Sequence, residues 1–474
     1  MDPLISFFVY LLILFASLSF VFLLYKPKSC NQKLPPGSKG WPIIGENLEF
    51  LKAARKGNPE KFFNDRKSKY SPEVFRTSLF GENVVVFCGA SGNKFLFKSE
   101  NKYVSTWWPR SVIKALLLPD DLSDALRVRG ILTEFLKPEA LRHHITIMDS
   151  MAKEHLEIDW CPNNQIKAYP NIRKFTFALG LRLLTSQTDT NYVARLYYNF
   201  ALLNGGIFSV PINFPGTSYY RAVKGRKFIL EELSVLVRLR KAELLENKDT
   251  AKQDLLTRFL VASQEEIRSL SERQVAERLL GLLIGSFDTI STTLTAILKY
   301  LAEHSDVYKK VLEEQMDIAK SKDSNEDLLN WEDVQKMKYS CCVACEAMRL
   351  MPSAPGAFRE AITDFTYAGY TIPKGWKTCW SVFSTHKNPN YFSDPEKFEP
   401  SRFEGSGPAP YTFVPFGGGA RICPGREYAR LEILIFMHNL VTKLRWEKVF
   451  PHENILFKPL PVPENGLELR IQPL

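Results

Sequence analysis

Ten residues near the C-terminus, Phe416-Gly417-Gly418-Gly419-Ala420-Arg421-Ile422-Cys423-Pro424-Gly425, constrain this chain more than any other stretch. They form a glycine-rich turn with one cysteine, directly ahead of an apolar helix pattern from Tyr428 to Val441. A cysteine at a helix N-terminus sits near backbone donors and a partial positive charge, which favours thiolate, and thiolate is a metal ligand. The neighbouring glycines leave space for a flat cofactor against the backbone. Arg421 suits an anionic group on that cofactor. A phosphate loop would need G-x-x-x-x-G-K-[ST], and no lysine–hydroxyl pair is placed that way. A dinucleotide fingerprint would need glycine where Ile422 stands. A buried structural cysteine in a turn is the alternative that this stretch alone leaves open.

The pattern F-x-x-G-x-R-x-C-x-G resembles the haem-binding loop of the cytochrome P-450 family, the haem-thiolate monooxygenases. Three more segments carry the resemblance. Glu346-Ala347-Met348-Arg349 places a carboxylate and a guanidinium three residues apart on a helix pattern, where they share a face. Pro395-Glu396-Lys397-Phe398-Glu399-Pro400-Ser401-Arg402-Phe403 is similar to the family's P-x-x-F-x-P-x-R-F segment. The resemblance implies a structural ion network of Glu346, Arg349 and Arg402 beneath the haem. Gly285-Ser286-Phe287-Asp288-Thr289 lies inside an apolar helix pattern from about Glu277 to Leu301. An Asp-Thr pair inside a buried helix is costly unless used or hydrogen-bonded.

That segment resembles the family's [AG]-G-x-[DE]-T over the open face of the haem. The resemblance makes Thr289 the partner of bound dioxygen and Asp288 a proton relay through water. O–O heterolysis needs protons and control of water. Ser286 replaces the usual second glycine, and Ile290 stands where a hydroxyl residue often follows. Cys423 takes the role of iron ligand, with Phe416, Gly419 and Gly425 completing the loop. Arg421, Arg359 and Arg129 would meet the haem propionates. The family's Trp-x-x-x-Arg retains only Arg129 here, since Ala125 holds the first place. The implied fold is mainly α with small β-sheets (α+β), and no alternating strand–helix series supports a doubly wound sheet.

The N-terminus limits where such a domain can sit. Leu4 to Leu24 is 21 residues without a charge, long enough to span a bilayer. Asp2 precedes it and Lys26, Lys28 and Lys33 follow, which predicts a single uncleaved anchor with the bulk of the chain cytosolic. The expected organisation is an anchor over 1–25, a basic, proline-rich hinge over 26–45 and a catalytic domain over 46–474. Net charge is +10 with basic residues scattered among acidic ones, which favours a membrane surface or an acidic redox partner over nucleic acid. The eight cysteines show no disulfide framework, and Cys342-x-x-Cys345, half of a zinc pattern, has no second pair. Val74 to Cys88 reads as a hairpin around Gly81-Glu82-Asn83. Ser105 to Leu118 reads as a loop carrying Trp107 and Trp108. Gly205 to Tyr220, apolar and aromatic, reads as a segment dipping into a membrane, roofing a pocket or packing on the domain.

The match is closer still to the plant triterpene-oxidising branch of the family, through KLPPGSKGWPIIGENLEFL, FLKPEAL, APYTFVPFGGGARICPGREYARLEI and RWEKVFP. This resemblance implies oxidation of a pentacyclic triterpene such as β-amyrin, α-amyrin or lupeol, at the C-28 methyl through alcohol and aldehyde to acid. Hydroxylation of a ring carbon, or of another terpenoid or sterol, is the alternative. It also implies haem b, electrons from NADPH through a separate NADPH-cytochrome P-450 reductase, and an endoplasmic reticulum membrane. Trp107, Trp108, Ser286 and Phe287 are the candidates for selecting substrate. Two rivals keep other classes open: a haem-thiolate isomerase or dehydratase that needs no external dioxygen, and a non-enzymatic lipid-binding membrane protein.

Overall fold

A computed structural model describes residues 8–17, 33–41, 44–109, 113, 122–207, 209, 211–246, 254–264, 270–322, 327–458 and 460–474. Much of the expected membrane segment, Lys26 and Lys28, most of the stretch from Trp108 to Leu118, and the side chain of Ala125 lie outside them. The chain opens with α1 (Phe8–Ser17). It continues through α2 (Asn47–Arg55), α3 (Glu60–Lys69), β1 (Val74–Leu79), β2 (Glu82–Phe87), α4 (Gly89–Lys98) and β3 (Val104–Thr106). A helical half follows: α5 (Leu122–Phe135), α6 (Pro138–His155), β4 (Gln165–Lys167), α7 (Ala168–Thr185), α8 (Thr190–Asn204), α9 (Ser218–Glu246), α10 (Leu255–Gln264), α11 (Glu272–Glu303), α12 (Ser305–Lys320), α13 (Trp331–Lys336) and α14 (Lys338–Leu350). The last part holds β5 (Gly356–Ala361), β6 (Phe365–Tyr367), β7 (Tyr370–Ile372), β8 (Lys377–Ser381), α15 (Arg426–Val441), β9 (Leu444–Lys448), β10 (Ile455–Phe457), β11 (Pro461–Pro463) and β12 (Glu468–Pro473). This is the mainly helical, small-sheet class that the sequence led us to expect.

Helix α11 is the axle. It starts earlier than the apolar pattern suggested because Ser271 caps it: Ser271 Oγ accepts the Gln274 amide, and Gln274 Oε1 accepts the Ser271 amide. Its N-terminal half puts Leu279, Leu280, Leu283 and Phe287 into a core shared with α7, α8, α9 and α10. Its C-terminal half puts Ile290, Leu294, Ile297 and Leu301 into a second core with α6, α7, α14 and α15. The helix is long and apolar enough to cross a membrane, but 61% of its apolar window is buried inside the protein. Burying that all-round apolar surface in two cores is what holds it as a central helix.

A third core lies under the larger sheet, whose order is β1-β2-β8-β5-β3. β1 and β2 pair antiparallel, with Leu79 opposite Glu82. The turn is therefore Phe80-Gly81, one residue earlier than the sequence suggested. Both residues have positive φ, 57° and 79°, the backbone that a two-residue hairpin turn demands. A phenylalanine is held there because the Phe80 amide donates to Asn47 Oδ1 at 3.1 Å. β8 joins β2 in parallel and β5 antiparallel, and β5 pairs β3 with Arg359 opposite Thr106. That last pairing sets Arg359 beside the residues that follow α4.

Candidate functional site

Cys423 lies just ahead of α15, which begins at Arg426 behind an N-cap at Gly425. Its amide donates to the Phe416 carbonyl at 2.9 Å and so closes the loop. The glycines of the loop do something other than the sequence suggested. A Cβ on Gly418 would lie 2.3 Å from the Phe97 ring, one on Gly419 2.0 Å from the Phe97 carbonyl oxygen, and one on Gly417 3.2 Å from the Trp380 ring. Gly417 and Gly419 also have positive φ, 69° and 65°. The room these three leave is filled by α4 and β8, so they dock the loop on the domain. Gly425 alone borders the thiol, its missing Cβ 3.9 Å from Cys423 Sγ.

Burial pushes the Cys423 thiol above its usual range, while the Gly425 backbone N–H, Arg129 and Arg426 pull it down by less. A cation bound to the sulfur would favour the thiolate further.

Three arginines gather beside the loop. Arg421 Nε donates to Glu100 Oε1 at 2.8 Å and Arg359 Nε to Glu100 Oε2 at 2.9 Å. Arg129 Nη2, from α5, donates to the Ile422 carbonyl at 2.6 Å. Arg421 Nη2 is buried without a hydrogen-bond partner among the described residues. Among the described residues, three guanidiniums against one carboxylate leave two positive charges uncompensated. A buried thiol, an orphaned guanidinium nitrogen and a twofold positive excess fit a cofactor that carries a metal cation and two carboxylates. Glu100 was not legible in the sequence: it belongs to no motif and gains its place only when α4 packs on the loop.

On α11, no atom of the described residues outside the helix lies within 4 Å of where a Cβ on Gly281 or Gly285 would stand. Thr289, one turn from Gly285, donates from Oγ1 to the Gly285 carbonyl at 2.9 Å. Asp288 is held from both sides, by Arg173 Nε on Oδ1 at 3.1 Å and by Asn204 Nδ2 on Oδ2 at 2.6 Å. Burial raises its carboxyl and Arg173 opposes that rise. Ser286 Oγ turns back to the Leu283 carbonyl at 3.3 Å, and Gly180 on α7 approaches it. Phe287 is 1% exposed, edge-on to Phe177 and Phe200 and beneath the Arg173 guanidinium. Its ring belongs to the core between α7, α8 and α11. Trp107 and Trp108 are half-buried, Trp107 edge-on to Phe358 and under Lys377 Nζ.

The model of the family described as Cytochrome P450 matches residues 35–467. The chain belongs to the cytochrome P450 family. It is 51% identical to a β-amyrin 6-β-monooxygenase of Solanum lycopersicum, over 100% of both chains. It is equally, 51%, identical to a β-amyrin 28-monooxygenase of Medicago truncatula, over 100% of this chain and 99% of that one. A solved cyanobacterial CYP120A1 with bound retinoic acid is 31% identical, with a TM-score of 0.83 over 94% of this chain and 100% of that one. The chain is thus a P450 monooxygenase: it carries haem iron on a cysteine thiolate, takes a hydrophobic substrate and draws electrons from a reductase partner.

In this P450 Glu346 and Arg349 on α14 form a buried pair. Arg349 donates from Nε and Nη2 to both oxygens of Glu346 at 2.6 and 2.8 Å, and both side chains are fully buried. Arg349 also donates to the carbonyls of His386, Pro395 and Lys397, while Glu346 accepts the Glu399 amide. The pair therefore pins the segment from Pro395 to Glu399 against α14. Arg402 stands farther off, 3.4 Å from Glu346 Oε1, and donates to the Asp394 carbonyl at 3.1 Å.

Proposed function

We propose that this P450 oxidises a pentacyclic triterpene of the β-amyrin type at the C-28 methyl, through alcohol and aldehyde to acid. The observation that carries the substrate class is full-length identity near one half to relatives whose names specify β-amyrin. Ring hydroxylation is the second reading, favoured by the 6-β-monooxygenase at the same 51% identity. The residues assigned here are part of the same proposal. Cys423 Sγ is the iron ligand, Arg421, Arg359 and Arg129 hold the propionates, and Phe416, Gly419 and Gly425 shape the loop. Haem bound there supplies the activation of dioxygen and the oxidation of an unactivated C–H bond.

The chain's own part is to bind, orient and deliver protons. Burial lets the raised Asp288 carboxyl hold a proton, and contact with Arg173 favours its release. Thr289 donates its hydroxyl hydrogen to the Gly285 carbonyl, so its oxygen lone pairs face outward and accept from water in the space beside Gly285. The missing side chains at Gly281 and Gly285 give a bulky hydrocarbon room along α11, while Ser286, Trp107 and Trp108 are candidates for orienting it. Glu346, Arg349 and Arg402 hold the loop without reacting.

We extend the proposal to location and partner. Residues 1–25 anchor the chain in the endoplasmic reticulum membrane, 26–45 form a hinge and 46–474 form a cytosolic catalytic domain. Exposed apolar side chains support it: α1 itself, Trp41, Ile44, Leu48, Leu51 and Phe80 on one side of the domain, and Ile212 and Phe214 in the segment between α8 and α9. The partner is an NADPH-cytochrome P450 reductase, and the +10 charge suits an acidic docking face.

The deciding experiment expresses the chain with that reductase in cells that make β-amyrin, α-amyrin or lupeol, followed by product identification. C-28 acids support the first reading and ring alcohols the second. Absence of any oxidised pentacycle, in cells where the reduced, carbon monoxide-bound protein shows a thiolate-type Soret band, removes the substrate class. Cys423→Ala is expected to abolish that band.

A further inference from the structure

We propose that Glu100 is a positioning residue of the haem site, whose buried carboxylate sets the two guanidinium forks that hold the propionates and keeps the reduction potential of the iron low. This rests on the propionate reading of Arg421 and Arg359 given above.

The geometry is specific. Glu100 is 4% exposed at its side chain and gives one oxygen to each arginine, at 2.8 and 2.9 Å. Both contacts are made through Nε. The outer ends of both guanidiniums stay clear of it: Arg421 Nη2 has no hydrogen-bond partner among the described residues, and Arg359 Nη1 donates to the Phe358 carbonyl at 2.7 Å. A carboxylate at Nε thus fixes which edge of Arg421 turns toward an anion. Without it two buried guanidiniums would face each other, each disfavouring the other.

Glu100 is itself well anchored. It lies just past the Ser99 C-cap of α4 and pairs with Val104 in a β-bridge. The Asn101 amide donates to the Val104 carbonyl at 2.7 Å, and Thr106 Oγ1 donates to Glu100 Oε1 at 3.3 Å. Its place is therefore set by the junction of α4 and β3, and the arginines orient to it.

The charge argument is independent of the geometry. With Glu100 ionised, the three arginines exceed it by two charges, the number that two propionates neutralise. Neutralising Glu100 leaves one extra positive charge in a low-dielectric shell, which stabilises the more electron-rich ferrous state.

The test is a spectroelectrochemical titration of the purified holoprotein. For Glu100→Gln the ferrous-to-ferric ratio at fixed potential is expected to rise about tenfold, which is about 59 mV for a one-electron couple. The double variant Glu100→Gln, Arg359→Gln restores the net charge and is expected to return the ratio to within about threefold of the parent, by the same charge argument. Glu100→Asp keeps the charge and is expected to keep the potential while losing haem faster to an apo-globin acceptor. An unchanged potential in a fully haem-loaded Glu100→Gln protein overturns the inference. So does a shift in Glu100→Asp as large as in Glu100→Gln, and Glu100→Asp also decides the matter if the glutamine variant does not fold. Arg359→Gln and Arg421→Gln separate the two layers. If neither speeds haem loss, the propionate reading falls. If both do and Glu100→Gln leaves the potential alone, only the role of Glu100 falls.

Discussion

The Asp288 carboxylate on α11 is gripped by the Arg173 guanidinium on α7, 3.1 Å from Nε to Oδ1. The pair is partly buried, and Arg173 also stacks over the Phe287 ring, its Cζ 4.7 Å from the centroid. Burial pushes Asp288 up and Arg173 pulls it down, so the arginine sets how readily the acid gives up its proton.

Arg173→Leu removes the downward pull and leaves only the rise. Asp288 then ionises at higher pH, and the limb of the rate profile that follows this ionisation moves alkaline. Product formation at neutral pH is expected to fall about tenfold or more, with a smaller fraction of NADPH appearing as product. Arg173→Lys retains the charge and is expected to restore part of the loss. Rates, and the product formed per NADPH consumed, measured from acid to alkaline pH check this, and an unmoved limb in Arg173→Leu refutes the role of the pair.

Glu346 and Arg349 are fully buried and satisfy each other. Removing one partner strands a charge, which costs about 3–5 kcal/mol. Arg349→Leu is therefore expected to lose more stability than any single exposed ion pair, together with haem. Thermal unfolding and haem content per chain measure both. The Arg402→Leu change should cost less, because that arginine sits at 3.4 Å and on the rim of the pair.

The residues proposed for the site stand out in the sequence because each falls in a short local pattern: Cys423 in its loop, Glu346 and Arg349 at helical spacing, Asp288 and Thr289 within one apolar helix. Glu100, Arg173 and Asn204 do not, because their roles come from contacts across 321, 115 and 84 positions of the chain. The loop glycines show the same limit from the other side. A glycine-rich stretch signals a close approach, but not what approaches, and here it is Phe97 and Trp380. The turn at Phe80 was missed because nothing local prefers a phenylalanine at positive φ; Asn47 holds it there.

Gly419 makes the loop contact testable. An alanine there would meet the Phe97 carbonyl oxygen at 2.0 Å and adopt φ of 65°. Backbone cannot rotate aside, so the loop must lift from α4. Gly419→Ala is expected to cost about 1–3 kcal/mol or more and to speed haem loss. Phe97→Ala keeps that carbonyl and should not rescue it, whereas it should ease Gly418→Ala, whose clash is with the ring. Haem-transfer rates of Gly418→Ala and Gly419→Ala, each alone and combined with Phe97→Ala, distinguish backbone from side-chain crowding.

Glu432 on α15 predicts how stability changes with pH. It is 1% exposed, and neither carboxyl oxygen completes a hydrogen bond among the described residues, although Tyr428 lies one turn away. Burial raises it from 4.5 to about 8, with Tyr428 offsetting a little. The folded chain therefore binds this proton more tightly than the unfolded chain. Its contribution to stability is complete below the ordinary carboxylate range and is lost as pH rises through about 8. In that window one proton is released on unfolding, a slope of about 1.4 kcal/mol per pH unit. Glu432→Gln cannot titrate, so its melting midpoints from about pH 5 to pH 8 are expected to follow a flatter line than the parent's. Parallel lines would show that the carboxyl is already ionised in the folded chain.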